Sequence, residues 1–199
     1  MGFTVYGAAG SGSVPVEAAL TLMGAPYRVV EAATWEGEAE RDKVAVANPM
    51  RQIPALITPE GETITESAAI LLWLTERFPE AGLAPPPGDP RRGQFLRWMS
   101  FIPASIYSIY WVRDEPGRLV GDDAAAQAAV LDRTADRIAH CWSMMEAQVT
   151  PGRFLMGEDL TVLDLYVAVV SRWRPLRPRF HAVAPRMGEV VRRVDALPE

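Results

Sequence analysis

The 199-residue sequence contains little cysteine and little histidine. Cys141 is the single cysteine, which excludes an internal disulfide and an all-cysteine metal site. The two histidines, His140 and His181, do not stand with it in a recognisable zinc-ligand spacing. We therefore predict no bound metal, and we expect Cys141 to be buried and unreactive. Any thiol chemistry would then need a sulfur that arrives with a ligand.

The sequence also lacks an excess of positive charge and a long hydrophobic run. Twenty basic side chains stand against 25 acidic ones, for a formal net charge of −5, so no strong basic field attracts a polyanion. The longest apolar stretches, such as residues 68–74, fall short of the roughly 20 residues that cross a bilayer. The N-terminus has no basic region followed by an apolar run, as a secretory signal would have. We predict no nucleic-acid partner, no membrane association and a cytoplasmic location.

A proline-rich segment divides the chain into two unlike halves. Four of the six residues from Pro85 to Pro90 are proline, which prevents both a helix and a paired strand there. Upstream, short β-like runs alternate with helical patterns, whereas the downstream half is helical with interrupting turns. We predict a first domain over residues 1–82, a linker over 83–89 and an all-helical domain over 90–199.

The first half has the pattern of a small mixed sheet. Strands are predicted at residues 3–6, 27–30, 53–57 and 63–65, and helices at 16–23, 38–47 and 67–78. Ser13 is expected to cap the first helix, which has Pro15 in its first turn. The first strand, helix and second strand form a right-handed unit with parallel strands, and the last two strands form a hairpin. This order predicts a four-stranded mixed sheet with helices on both faces, a thioredoxin-like layout.

The second half has four long helical patterns. They cover residues 91–113, 124–149, a segment that begins at 161, and 185–194. Pro103 is expected to kink or split the first of these helices. Thr161 and Asp164 have the spacing of a capping box, with Asp in place of the usual Glu or Gln.

The first segment that could form part of a functional site is Asn48-Pro49-Met50-Arg51-Gln52-Ile53-Pro54-Ala55-Leu56. Pro54 precedes a good strand, where a proline belongs at an edge or a bend, and a cis bond is one way to make that bend. With a cis bond, the Ile53 amide and carbonyl can stay outside the sheet and face the backbone of a ligand. The alternative is an edge-strand proline with no ligand.

The second segment is Thr65-Glu66-Ser67 at a helix start. Free amides at such a position bind carboxylates, Ser67 adds a hydroxyl donor, and Glu66 can accept from an ammonium group. Together they suit an amino-acid head group. The alternative is simple helix capping.

The third segment is the glycine-serine loop over residues 7–13. It lacks the lysine and spacing of a phosphate-binding loop. Ser11 or Ser13 could instead donate a hydrogen bond to a thiolate. A serine nucleophile is not supported, because neither histidine lies in a triad motif.

These three segments occur together with the proline linker and with the capping box at Thr161 and Asp164. With this combination in this order, the sequence resembles the cytosolic glutathione S-transferase superfamily over essentially the whole chain. The resemblance implies that glutathione is the co-substrate and that Pro54 is a cis proline. It further implies that Ile53 pairs its backbone with the cysteinyl part of glutathione and that Gln52 adds a contact. Glu66 and Ser67 would bind the γ-glutamyl end.

The resemblance places Ser11 at the position of the thiol-activating residue. Ser13 and Tyr6 remain alternatives for that role. The Ser-Ser-Cys-x-x-Arg signature of the zeta class is absent, although residues 48–56 look zeta-like.

The activity implied is transfer of glutathione to a small hydrophobic electrophile held between the domains, in a homodimer. The electrophile is expected near five side chains of the proline-interrupted helix, which are Ile106, Tyr107, Tyr110, Trp111 and Arg113. Other functions on the same site are a glutathione-dependent peroxidase, lyase or isomerase. A non-catalytic glutathione-binding or interaction protein is the alternative from a different class.

Overall fold

A computed structural model describes residues 2–173 and 176–197 of the chain. The strands are β1 (Phe3–Gly7), β2 (Tyr27–Glu31), β3 (Ala55–Ile57) and β4 (Thr63–Thr65). The helices of the first half are α1 (Val14–Leu22), α2 (Glu38–Ala45) and α3 (Ser67–Arg77). The helices of the second half are α4 (Arg92–Ile102), α5 (Ser108–Asp114), α6 (Gly117–Val120), α7 (Ala124–Gln148), α8 (Val162–Val170), α9 (Arg177–Val183) and α10 (Pro185–Asp195).

The four strands form one mixed sheet in the order β2-β1-β3-β4. β1 and β2 are parallel, whereas β3 is antiparallel to both β1 and β4. Alternate residues of β1 face opposite sides, as the pleat requires. Phe3 and Val5 pack in the main core with residues of α1 and α3, while Tyr6 packs with Ala47 and Ala55 on the other side. The predicted fold class, a thioredoxin-like sheet domain followed by helices, is confirmed.

The main core continues from the sheet into the helical half. α8 is buried over its whole length and packs against α1 and α3. Its side chains share one cluster with Leu20 of α1 and Ile70 of α3. The predicted capping box at Thr161 and Asp164 begins this helix, and the Asp164 carboxylate also accepts the Leu155 amide at 2.7 Å. The helical half is therefore anchored to the sheet domain by a shared apolar interior.

Two local predictions need correction. β3 begins at Ala55 rather than at residue 53, because Pro54 has no amide hydrogen to pair with a neighbouring strand. Ser13 occupies the N-cap position of α1, but its side chain makes no capping bond and donates to Glu17 instead. The prediction that Pro103 kinks or splits the long helix is confirmed, with a π-helical turn over Pro103–Tyr107 between α4 and α5.

Two short helices, α6 and α9, were not predicted. The division into domains at residues 83–89 stays a prediction, and residues 174–175 and 198–199 of its last domain lie outside the described ranges. Within residues 2–173 and 176–197, no helix has the length and apolar character needed to span a bilayer.

Candidate active site

One end of the sheet brings the three predicted segments together. Tyr6, Ala55 and Thr65 lie side by side in neighbouring strands. β1 and β4 end there, and β3 begins there, because β3 runs antiparallel to both. The loop after β1, the residues before β3 and the start of α3 therefore meet at the same end of the sheet.

The segment before β3 presents an unpaired backbone. The Ile53–Pro54 peptide bond is cis, as the resemblance implies. Among the described residues, neither the amide nor the carbonyl of Ile53 has a hydrogen-bond partner. Asn48, which is buried, fixes this turn: its side-chain amide donates to the Gln52 carbonyl at 2.9 Å, and its oxygen accepts the Met50 amide at 3.0 Å. The Gln52 side chain is exposed beside it.

The start of α3 combines strained backbone with free donors. Glu66 has a φ of 66°, which for a residue other than glycine costs about 1–3 kcal/mol and is typical of functional sites. Its carbonyl accepts the Ile70 amide at 2.9 Å, so the amides of residues 67–69 have no acceptor within the helix. The exposed Glu66 side chain adds a negative charge beside these amides. This arrangement can bind a group that carries both a carboxylate and an ammonium.

A tyrosine of the helical half holds the Ser67 side chain in place. Its buried hydroxyl lies 2.8 Å from the Tyr166 hydroxyl of α8. Burial raises the pKa of Tyr166, and the hydrogen bond with Ser67 opposes that shift only in part. The tyrosine therefore stays protonated near neutral pH, and the pair keeps the Ser67 side chain in one orientation.

The loop after β1 contains two buried hydroxyl groups in contact. The Ser11 and Ser13 oxygens lie 3.0 Å apart, and the Ala8 amide lies 3.3 Å from the first and 3.2 Å from the second. Ser13 donates to a Glu17 carboxylate oxygen at 2.6 Å, which is far shorter than its 3.4 Å contact with the Ala8 carbonyl. A hydroxyl has one proton, and a carboxylate is the stronger acceptor. Ser13 therefore accepts from Ser11, and the Ser11 proton is the one in this pair that can turn to a ligand.

Tyr6, the third activator considered, lies elsewhere. Its side chain packs in the small apolar cluster with Ala47 and Ala55, against which Val30 and Ile53 also pack. This location is typical of a packing residue.

Aromatic side chains of the helical half cover the glycine-serine loop. The Trp173 indole donates to the Gly10 carbonyl at 2.9 Å, and its ring packs edge-on against Tyr107 and Tyr110, with centroids 4.4 and 4.9 Å away. Tyr107 reaches the loop itself, since a Cβ atom placed on Gly12 would lie 2.2 Å from its hydroxyl oxygen.

Burial keeps both tyrosines protonated. It raises the pKa of Tyr107, with smaller contributions from the carboxylates of Asp114 and Glu66. It raises the pKa of Tyr110 to about 12. A cavity of about 380 Å³ adjoins Tyr110 on the side of Leu131 and Leu176.

The other residues predicted near an electrophile, which are Ile106, Trp111 and Arg113, have different surroundings. Ile106 is fully buried in the core. Trp111 is 50% exposed, with the Arg118 guanidinium over its ring. Arg113 donates to the Leu131 carbonyl and the Thr134 hydroxyl.

Several residues of the site were missed by sequence reasoning. Glu17 could have been found, because a helical residue four positions after Ser13 lies on the same face. Tyr166 and Trp173 are far from their partners in sequence and carry no local signal. Cys141 is buried as predicted, and burial raises the pKa of its thiol.

Comparisons with known proteins agree with this architecture. The family model described as "Glutathione S-transferase, N-terminal domain" matches residues 11–77. An uncharacterized GST-like protein of Escherichia coli K12, YncG, is 31% identical over 196 residues, which cover 98% of this chain and 93% of that protein. Glutathione S-transferase 3 of Zea mays is 25% identical over 87% of this chain and 80% of its own length.

Solved structures show the same fold. A glutathione transferase homologue from Sulfitobacter, crystallised with bound glutathione, superposes with a TM-score of 0.84 at 24% identity, covering 98% of this chain and 93% of that one. A sphingomonad glutathione S-transferase in complex with glutathione gives a TM-score of 0.76 at 25% identity, with 98% and 94% covered. With a relative at 31% identity across nearly its full length, this chain belongs to the cytosolic glutathione S-transferase superfamily.

Proposed function

We propose that this protein binds glutathione at the end of the sheet and activates its thiol for attack on a small hydrophobic electrophile. The observation that carries the proposal is the Ser11 hydroxyl, whose proton can turn to a ligand beside the unpaired Ile53 backbone and the start of α3. Relatives crystallised with glutathione support the choice of ligand.

The proposed binding mode assigns each part of the tripeptide to one segment. The cysteinyl backbone would pair with the free amide and carbonyl of Ile53, beside the Gln52 side chain. The γ-glutamyl carboxylate would accept from Ser67 and the free amides of α3, and its ammonium group would face Glu66. In this position the sulfur would accept a hydrogen bond from Ser11.

One hydroxyl group is sufficient for the activation. A free thiol has a pKa of about 8.5, and lowering it by roughly two units requires about 2.7 kcal/mol. A hydrogen bond to a charged group contributes about 1.5–3 kcal/mol, and the positive end of a helix such as α1 adds about 0.3–1 kcal/mol. The thiolate would then form a bond to the electrophilic carbon and displace its leaving group. Tyr107, Tyr110 and Trp173 form the wall on the electrophile side.

A Ser11→Ala variant tests this proposal. We expect turnover to fall about 10-fold to 100-fold, the equivalent of a lost hydrogen bond of about 1.5–3 kcal/mol to the sulfur. Glutathione affinity, measured by calorimetry, should stay close to that of the wild type. Tyr6→Phe is the matched control and should keep the wild-type rate, since its side chain packs away from the loop.

The substrates for this test are halogenated arenes, epoxides and hydroperoxides. Turnover of hydroperoxides alone would indicate a peroxidase on the same site. Glutathione binding without any turnover would indicate a binding protein. Wild-type turnover in Ser11→Ala would refute the assignment of Ser11.

We further propose that the protein acts as a homodimer, as the family resemblance implies. Light scattering on the purified chain measures this directly. A mass of about 22 kDa at micromolar concentration would contradict it, since one chain is 21.9 kDa.

A further inference from the structure

We propose that Glu17 is the terminal acceptor of a proton relay that removes the thiol proton of glutathione through Ser11 and Ser13. This inference rests on the proposed function. It is carried by a continuous chain of contacts, 3.0 Å between the two hydroxyl oxygens and 2.6 Å from Ser13 to the carboxylate.

The hydrogen bonds in this chain have one direction. Ser13 donates to Glu17, so Ser11 donates to Ser13. Ser11 is itself aligned by two backbone amides, those of Ala8 at 3.3 Å and Ser13 at 3.1 Å. Both hydroxyl groups therefore donate in the direction of the Glu17 carboxylate, which is the order that a thiol proton would need to follow.

The proposed step transfers three protons in one direction. The thiol S–H bond breaks and its proton bonds to the Ser11 oxygen, the former Ser11 proton passes to Ser13, and the former Ser13 proton passes to a Glu17 carboxylate oxygen. The charge moves from Glu17 to sulfur, and no electron leaves or enters. After the step, Glu17 donates to Ser13, Ser13 donates to Ser11 and Ser11 donates to the thiolate. The relay thus removes the proton and leaves Ser11 oriented to stabilise the anion that it forms.

The burial of Ser11, Ser13 and Glu17 fits a proton path from the site to water. Ser11 is 7% exposed, Ser13 is fully buried, and Glu17 is partly exposed. The loop backbone packs closely against Ser13, the middle residue of the relay, since a Cβ atom on Gly7 would lie 2.2 Å from the Ser13 oxygen. The partly exposed Glu17 carboxyl can release the proton to solvent and reset the chain.

The charged and titratable groups around the relay leave Glu17 free to accept the proton. Among the described residues, no Lys, Arg or His side chain forms an ion pair with Glu17. The Glu31 carboxylate of β2 accepts the Ala9 amide at 3.3 Å, and Tyr107 approaches the loop from the helical half. Neither of these groups is part of the hydroxyl chain.

The experiment compares Glu17→Gln with Glu31→Gln. The glutamine at position 17 can still accept from Ser13 but cannot take its proton, whereas the substitution at position 31 removes a charge beside the same loop outside the chain. Kinetics with glutathione and a halogenated arene are measured across pH, and the rate is also measured as a function of the deuterium fraction of the solvent. Thermal unfolding confirms that both variants fold.

We expect Glu17→Gln to lose about 100-fold in kcat/KM near neutral pH, at the low end of the effect of an acid-base group. The KM for glutathione should stay within about twofold. The loss should disappear as the pH rises through about 8.5, where glutathione arrives as thiolate. The plot of rate against deuterium fraction should be curved in the wild type, because several protons move together, and linear in Glu17→Gln. Glu31→Gln should match the wild type in both measurements.

Two results overturn the relay alone. One is a Glu17→Gln enzyme with the wild-type pH profile while Ser11→Ala is impaired. The other is an equal loss in Glu31→Gln, which would indicate a general effect of charge. A wild-type protein that neither binds nor ionises glutathione would instead refute the proposed function, and the relay with it.

Discussion

Replacing Gly12 by alanine tests the contact between the two halves of the site. Gly12 is buried, and its φ is outside the positive range, so an alanine backbone is acceptable there. The added Cβ would lie 2.2 Å from the Tyr107 hydroxyl oxygen and 3.0 Å from two carbons of its ring. The ring is held by Trp173 at 4.4 Å, so either the loop or the aromatic cluster must move.

The cost of this contact follows from the behaviour of well-packed interiors. Adding a methyl group where there is no space destabilises by about 1–3 kcal/mol. For a chain of this size, each kcal/mol lowers the melting temperature by about 2–4 °C. We therefore expect Gly12→Ala to melt about 2–12 °C below the wild type. Its turnover should also fall, since the loop carries Ser11.

Urea unfolding of a double-mutant cycle with Tyr107→Phe identifies the cause. Removing the hydroxyl oxygen eliminates the 2.2 Å contact and leaves only the 3.0 Å contacts with the ring. The double variant should therefore recover about 1 kcal/mol of the loss, measured as a coupling energy. A Gly12→Ala protein as stable as the wild type, or one that Tyr107→Phe does not rescue, would refute the placement of this ring on the loop.

Three further predictions concern the contacts from the helical half. Tyr166→Phe leaves the buried Ser67 hydroxyl without its partner, so unfolding in urea should show a loss of about 1–3 kcal/mol, and calorimetry should show weaker glutathione binding. Trp173→Phe keeps an aromatic ring but leaves the Gly10 carbonyl without its donor, so we expect a loss of about 1 kcal/mol, and an unchanged stability would contradict the bond. Burial raises the pKa of Tyr110 from an unperturbed value of 10.0 to about 12, so its contribution to stability is complete below pH 10 and is lost as the pH rises to 12. Alkaline unfolding should therefore be less steep in Tyr110→Phe than in the wild type over that range.

The sequence was sufficient to predict the fold because its prolines mark clearly where helices and strands end. Proline appears where an element must end or split, as at Pro103, and the predicted four-stranded sheet forms in the expected layout. The error at Ser13 comes from competition for its one hydroxyl proton. Ser13 is at a cap position, but its proton goes to Glu17, and a residue-by-residue preference for capping does not include that alternative.

Interatomic distances are needed to rank Ser11 above Ser13 as the proposed thiol activator. Both are serines in the same loop, both are buried, and both contact the Ala8 amide. They differ in the partner that holds each proton, and this difference depends on a helical side chain 2.6 Å from Ser13. A pattern of residue types contains no such information, so the sequence left the alternatives open.

The contacts between the halves could not be predicted from the sequence, because they join residues far apart in the chain. Ser67, Gly10 and Gly12 each meet a side chain from the helical half, although each belongs to the sheet domain. Of the side chains that make these contacts, Tyr166 lies on α8, which is buried and packs in the core shared with the sheet domain. A substitution in Tyr166 or Trp173 should therefore change glutathione binding or thiol activation as well as the choice of electrophile. Under the proposed function, the helical half would then be a structural part of the glutathione site and not only a pocket for the electrophile.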